Sequence, residues 1–422
     1  MRTMRTLRRR SFLGAAAATV GLGALGLPRA RAEVGAAKNL VLVVAYGGWD
    51  TTYVFDPKPG LASIDAPTGD IVEVGGVQFF DDPSRPATRA FFDAWADRCT
   101  VVNGLQVQSL VHADCSKRLL TGTQSDTNPD VGAIAAFVHG AERPVPYFVL
   151  GQTSYAGPYA SISSRAGTAN QLGTLVDLQY GYPADGVAAP VLLDGDEQAL
   201  VRAHVAARAE RVRAARGLAG ENRSRIEAFI ASLDRGDVLR SIGPVGGLEF
   251  TRDLGVQADL AVDALDRELS WAVQIETGSF DTHTDNSMQI VQHELLFGGL
   301  AQLLAGLDGR PGKHGGGSLL DETVVAVVSE MGRTPKLNAG GGKDHWPVTS
   351  ALVLGGGLPG GRVLGGTTDA LAARPMDLDT GASAESGVQL QYGNFAAGLL
   401  AALGVDPEDH LPNAEPFHAL GA

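Results

Sequence analysis

Apolar positions along the chain follow two rhythms. Residues 39–46 (NLVLVVAY) form an unbroken apolar run that stops at Gly47-Gly48, the pattern of a strand buried on both faces in a parallel sheet. Runs at 100–102, 147–150, 270–275, 323–329 and 351–354 predict further strands. Between them, apolar residues recur at helical spacing and predict helices over 87–96, 130–139, 198–216, 223–233, 258–268 and 286–307. Strands alternating with helices predict an α/β fold, a doubly wound and mostly parallel sheet flanked by helices. The stretch 152–250 departs from this alternation. It opens Ser/Gly/Ala-rich and continues into Arg/Ala-rich amphipathic segments, so it reads as a helical insertion or cap on a single domain spanning 33–422. Neither an internal repeat nor a heptad run is present.

The first 32 residues obey a different rule. They carry seven arginines and no acidic residue, and Arg9-Arg10-Ser11-Phe12-Leu13 has the R-R-x-F-L order of a twin-arginine leader. A short Ala/Gly/Leu stretch and Ala30-Arg31-Ala32, a small-x-small cleavage site, complete the expected signal. The stretch is too short and too rich in alanine and glycine for a membrane anchor, which needs about 20 strongly apolar residues. Export through the twin-arginine translocase, to the periplasm or beyond, is therefore expected.

Charge narrows the partners. Removing the seven leader arginines takes the formal charge from −13 to −20. An acidic surface of that size argues against nucleic acid and anionic membranes as partners. No later segment reads as a stable membrane span. Cys99 and Cys115 could pair in an oxidising compartment or remain two buried thiols, and two cysteines are too few for a Cys-only metal site.

Chemistry-bearing residues gather just after predicted strands, the edge where open α/β sheets bind ligands. Asp50 follows Gly47-Gly48-Trp49 after the first strand, either as a held carboxylate or as a turn aspartate. Asp281 and His283, two apart in a loop, form a pair that often grips a divalent metal. Glu330 ends a very apolar strand, where its charge needs a cation, either Arg333 or a metal; Arg333 could instead clamp an anionic substrate oxygen. Asp344 and His345, between a Gly-rich loop and Pro347, suggest a fixed ligand-presenting loop. His112 should lie at or near a helix N-terminus, where anions are favoured. The remaining histidines, His139, His204, His293, His314, His410 and His418, read as structural or solvated. P-loop, G-x-S-x-G, H-E-x-x-H and paired C-x-x-C motifs are all absent. Acids and histidines from separated segments suit one or two divalent metals, with zinc, calcium, magnesium and manganese all open.

Several of these segments carry a family resemblance. Lys38-Asn39-Leu40 through Gly47-Gly48 and Phe55-Asp56-Pro57-Lys58-Pro59 resemble the start of the domain-of-unknown-function 1501 family. Asp281-Thr282-His283, 320–325 (LDETVV), 329–335 (SEMGRTP) and Asp344-His345-Trp346-Pro347 continue it in the family's order, over about residues 38–408. Such proteins are commonly exported by the twin-arginine route. The family is similar in turn, more distantly, to the alkaline phosphatase and sulfatase superfamily, a parallel-sheet α/β sandwich with metal ligands on strand-end loops.

The resemblance implies that Asp50 takes the first-strand ligand position and that Asp281 with His283 forms the middle group. It also implies that Glu330 stands for a strand-end aspartate and that Asp344 or His345 completes the set. In superfamily phosphodiesterases and sulfatases a nucleophile lies ten residues before a Thr-Gly pair. Counting back from Gly122 gives His112, while Cys115 falls three residues too late and lacks the Pro-Ser-Arg that marks a sulfatase. His112 is then a nucleophile, a general acid or a ligand, unless the site is inactive. The expected function is an exported metal-dependent hydrolase of small anionic phosphate or sulfate esters, with Arg333 binding the anion. The rival is a non-catalytic, metal-stabilised binding or secretion-accessory protein. A carbohydrate-binding surface protein would need clustered aromatics, and aromatics at 6% with four tryptophans argue against it.

Overall fold

The computed structural model describes residues 35–125, 127–165, 193–215, 219–220, 222–227, 229–231 and 251–422. The expected leader and most of the expected insertion, including 166–192 and 232–250, lie outside the described residues. Strand β1 (Asn39–Ala45) is buried at every position and pairs with parallel strands on both sides, so both of its faces must be apolar. A short hairpin, β2 (Asp70–Val74) and β3 (Val77–Asp81), follows it. Then come β4 (Cys99–Gln106), β5 (Tyr147–Val149), β6 (Ser163–Arg165), β7 (Ala272–Thr277) and β8 (Thr323–Val328). The chain closes with the two-residue strands β9 (Gly332–Arg333) and β10 (His345–Trp346), then β11 (Val348–Gly355) and β12 (Arg362–Gly365).

Eight strands form one sheet in the order β12-β4-β11-β8-β1-β7-β5-β6. Every neighbouring pair is parallel except those made by β11, which runs antiparallel to both β4 and β8. The expected mostly parallel α/β sheet is thus found, with one reversed strand inside it. The reversal has a local cause. After β8 the chain folds over the β9–β10 hairpin and returns directly beside the strand it left.

The helices among the described residues include α1 (Pro86–Trp95), α2 (His112–Thr121), α3 (Val131–Gly140), α4 (Gly195–Ala215), α5 (Leu254–Asp266), α6 (Met288–Asp308) and α7 (Tyr392–Ala402). Alternate residues of β1 feed opposite layers, as a period of two requires. Val41 and Val43 pack with Phe91 and Phe92 of α1, Leu254 of α5 and Leu296 of α6. Leu40, Leu42 and Val44 pack with Leu119 of α2, Ile134 of α3 and Phe395 of α7. Two helical layers therefore cover the sheet. Helix α6 corrects one expectation, because its 21 residues are long and apolar enough by length and composition to cross a bilayer. Half of that stretch is buried, and Leu296, Phe297, Leu300 and Leu303 line the core. Both cysteines are free and buried. Burial raises the thiol pKa of Cys99 well above its usual value and that of Cys115 to about 11.

This topology decides what meets at one edge. Parallel β1, β7 and β8 deliver the residues after their C-terminal ends to it, and β4 leads there toward α2. The reversed β11 begins at that edge, so the residues just before it arrive there too.

Candidate metal centre

Two glycines make the approach possible. Gly47 and Gly48 have φ of +116° and +83°, and a Cβ on Gly47 would lie 2.6 Å from the Asp281 backbone nitrogen. The Asp281 loop can therefore close onto the end of β1. Arg333 fixes that closure from below. It is 1% exposed, and its guanidinium donates to the backbone carbonyls of Gly47, Gly48 and Lys343 and to the Asp281 carboxylate. Just upstream, Ser279 holds a left-handed φ of +80°, a strained conformation of the kind that gathers at functional sites.

Three histidines face the Asp281 carboxylate, and each is anchored from behind. His112, the first residue of α2, sets its Nδ1 2.8 Å from the buried Glu330 Oε1. Nδ1 of His283 lies 3.1 Å from Asp344 Oδ1, which Asn338 also holds at 3.0 Å. Nδ1 of His345 lies 2.7 Å from the Leu110 carbonyl. Carboxylate and carbonyl oxygens only accept, so each Nδ1 carries the proton in the neutral ring and each Nε2 is left with a bare lone pair.

Those nitrogens converge. His283 Nε2 is 2.9 Å from His345 Nε2, and the two lie 3.1 and 3.3 Å from Asp281 Oδ1. His112 Nε2 is 3.5 Å from Asp281 Oδ2. One ligand atom each from His112, Asp281 and His345 falls within 4.8 Å of the others. Two bare lone pairs this close repel unless a cation lies between them. Ligands bonded at about 2.0–2.1 Å in a tetrahedron sit roughly 3.3 Å apart, so this donor set fits a divalent ion. Backing each metal-facing imidazole with an acceptor is the usual way such rings are oriented.

Electrostatics agree with the geometry. The Glu330 hydrogen bond, opposed by burial, holds the His112 pKa above its ordinary value. Burial pushes the Asp281 carboxyl up, but hydrogen bonding and charge from Arg333, with help from His345, outweigh it and hold the pKa low. Asn338 first, and His283 second, keep the Asp344 carboxyl low. Beside Asp281 opens a cavity of about 160 Å³ whose walls include Tyr46, Gln152, Thr153, Glu276 and Ser279. Tyr46 stacks on His112 with ring centroids 5.6 Å apart. Burial, chiefly, raises the pKa of the Glu276 carboxyl, which accepts the Gln152 backbone N–H at 2.7 Å.

Of the residues marked in the sequence, the structure brings His112, Asp281, His283 and His345 face to face. Glu330 and Asp344 stand one layer back as anchors. Glu330 does not pair with Arg333; it takes the Gly47 N–H at 2.8 Å and the His112 ring. Arg333 turns beneath the Gly47-Gly48 turn, away from Glu330, and its buried donors are committed there, which leaves it behind the carboxylate and not against a substrate anion. Asp50 stands apart, fully buried, with Lys343 Nζ at 2.7 Å. Lys343, Tyr46 and Glu276 were not singled out from sequence. Lys343 opened the marked 343–347 motif without a role of its own, and Tyr46 and Glu276 sat at strand ends, but nothing in their patterns set them apart from ordinary core positions.

Fold and site together define an α/β protein with a candidate His/Asp metal centre at the edge of a mostly parallel sheet. Residues 257–416 match the family model described as "Protein of unknown function (DUF1501)", a segment that contains Asp281, His283, Glu330, Arg333, Asp344 and His345. No curated protein matches the chain. Among solved structures, the protein Ps i-CgsB is 12% identical over 90% of this chain and 75% of its own, with a TM-score of 0.43. PsFucS1 sulfatase from Pseudoalteromonas sp. is 10% identical over 92% and 72%, with a TM-score of 0.40. A protein in the alkaline phosphatase superfamily from Vibrio parahaemolyticus is 10% identical over 89% and 69%, with a TM-score of 0.39.

Proposed function

We propose that this chain is an exported, metal-dependent hydrolase of phosphate or sulfate esters, working in the periplasm or outside the cell. One observation carries the metal reading. Two imidazoles, His283 and His345, each tethered at Nδ1, turn bare Nε2 atoms toward the Asp281 carboxylate beside a cavity. The leader motif supports export, and the superfamily resemblance of the strand-end motifs supports the ester class. Asp281, His283 and His345 make the tightest triad, with separations of 2.9–3.3 Å, and would hold one divalent ion, with zinc suiting imidazole better than manganese, calcium or magnesium. A divalent ion there would supply Lewis acidity toward an ester oxygen and lower the pKa of a bound water.

The chain's own residues supply the rest. His112 faces the triad from the α2 terminus, with Glu330 favouring its protonated form, and gives a proton to the departing oxygen. Arg333 keeps the Asp281 carboxylate aimed. Tyr46 and the 276–279 strand end wall the cavity that receives the ester. A panel of phosphomonoester, phosphodiester, sulfate ester and phosphonate, run on metal-loaded protein, tests this reading. His112→Ala should lose about 10²–10⁴-fold in turnover while keeping its metal, and His345→Ala should lose both. If the loaded chain turns over none of the panel, the non-catalytic, metal-stabilised reading takes its place.

A further inference from the structure

Asp50 and Lys343 form an ion pair with no exposed surface on either side chain, 2.7 Å between Oδ2 and Nζ. The carboxylate is saturated. Oδ1 accepts the Thr52 N–H at 3.1 Å and its hydroxyl at 2.7 Å, and Oδ2 accepts Asn286 Nδ2 at 2.9 Å as well as the ammonium. Beyond this pair the Lys343 Nζ makes no hydrogen bond, so the lysine is present as charge. Its backbone ties the pair to the centre. The Lys343 N–H donates to the Thr282 carbonyl at 3.0 Å, and its carbonyl accepts from Arg333 at 3.0 Å. Lys343 lies two residues before His345, and Thr282 sits between Asp281 and His283. The pair is therefore wedged directly behind the histidine cluster.

The Asp50 carboxylate is a ligand that a hard cation uses, and it is held in place from both sides, by the Thr52 hydroxyl on Oδ1 and the Asn286 side-chain amide on Oδ2. We propose that Lys343 is a built-in cation occupying the position beside Asp50 that a second metal ion would otherwise take, so that the centre holds one divalent ion per chain. The count rests on the histidine cluster being a metal centre. Lys343 itself is a positioning residue, holding the 281–283 and 343–345 segments at a fixed spacing with a charge that chelators cannot remove.

The test counts metal and follows thermal unfolding in chelated protein titrated first with zinc, then with magnesium or calcium. Wild type should take up one zinc ion and gain nothing further from magnesium or calcium. Lys343→Ala, which strips Asp50 of its counter-ion, should melt several degrees lower in chelator. It should then bind a second, hard cation and recover most of the loss. The neutral double variant Asp50→Asn/Lys343→Met should fold, bind one zinc ion and show no rescue. Uptake of two ions by wild type, with one lost in Asp50→Asn, overturns the proposal. So does a Lys343→Ala protein that no divalent cation restores, or a double variant that takes up two ions. Uptake of none by wild type contradicts the metal reading itself and the count with it.

Discussion

At the scale of single residues, burial forces choices on charged groups, and Asp130 shows the consequence most plainly. It caps α3, accepting N–H groups from Ala133 at 2.8 Å and Tyr155 at 2.9 Å, yet it has no exposed surface. Burial outweighs these bonds and raises the carboxyl pKa from 3.8 to about 6. The folded chain then holds this proton more tightly than the unfolded one. The benefit is complete below about pH 4 and is lost as pH rises through 6, leaving a penalty on the order of 2–3 kcal/mol at pH 7. Asparagine removes the charge but offers only one acceptor, so it keeps the Ala133 cap and sets its NH2 against the Tyr155 N–H. The difference in unfolding free energy between Asp130→Asn and wild type should therefore move in the variant's favour by about 2–3 kcal/mol from pH 4 to pH 7 in urea titrations. Parallel curves across that range would contradict it. Residue identity alone could not rank the carboxylates at the sheet edge, because Asp50 and Asp281 both follow strands and differ only in what packs against them. Lys343 claims the first and the histidines face the second.

At the scale of elements, legibility followed burial. β1, β4, β7 and β8 are buried at nearly every position and announce themselves as apolar runs. Of α2 only the start, near His112, is legible, because its buried face mixes Cys115, Ser116 and Thr121 with Leu119 and Leu120. The reversal of β11 was invisible, since a strand buried on both faces reads the same in either direction. That reversal nonetheless delivers His345 to the site. Strands reach the site only if the turn after β1 stays tight. Gly47→Ala should weaken folding by about 2 kcal/mol or more, through its positive φ and the push on Phe280 and Asp281, and should weaken metal binding in parallel. Gly60 also has a positive φ, +76°, but nothing lies within 4 Å of its would-be Cβ. Gly60→Ala should therefore show only the backbone penalty, about 1 kcal/mol, with metal affinity untouched. Equal effects of the two substitutions on metal binding would contradict the close-approach argument.

At the scale of the whole molecule, the architecture explains why ligands scattered from residue 112 to 345 can share one point. A mostly parallel sheet sends successive strand ends to one edge, and a single reversed strand adds the segment before it. The proposed twin-arginine leader, for a route that carries folded proteins, is consistent with a metal seated before export, with the histidine cluster as its candidate holder. The most direct measurement is zinc or manganese titration of chelated, leader-free protein, with bound metal counted and thermal stability followed. The expected result is one ion per chain, with stabilisation near 2.7 kcal/mol at free metal about 100 times the dissociation constant. Both the binding and the stabilisation should disappear in His283→Ala/His345→Ala. No bound metal and unchanged stability, or binding that survives the loss of both histidines, would contradict the centre described here.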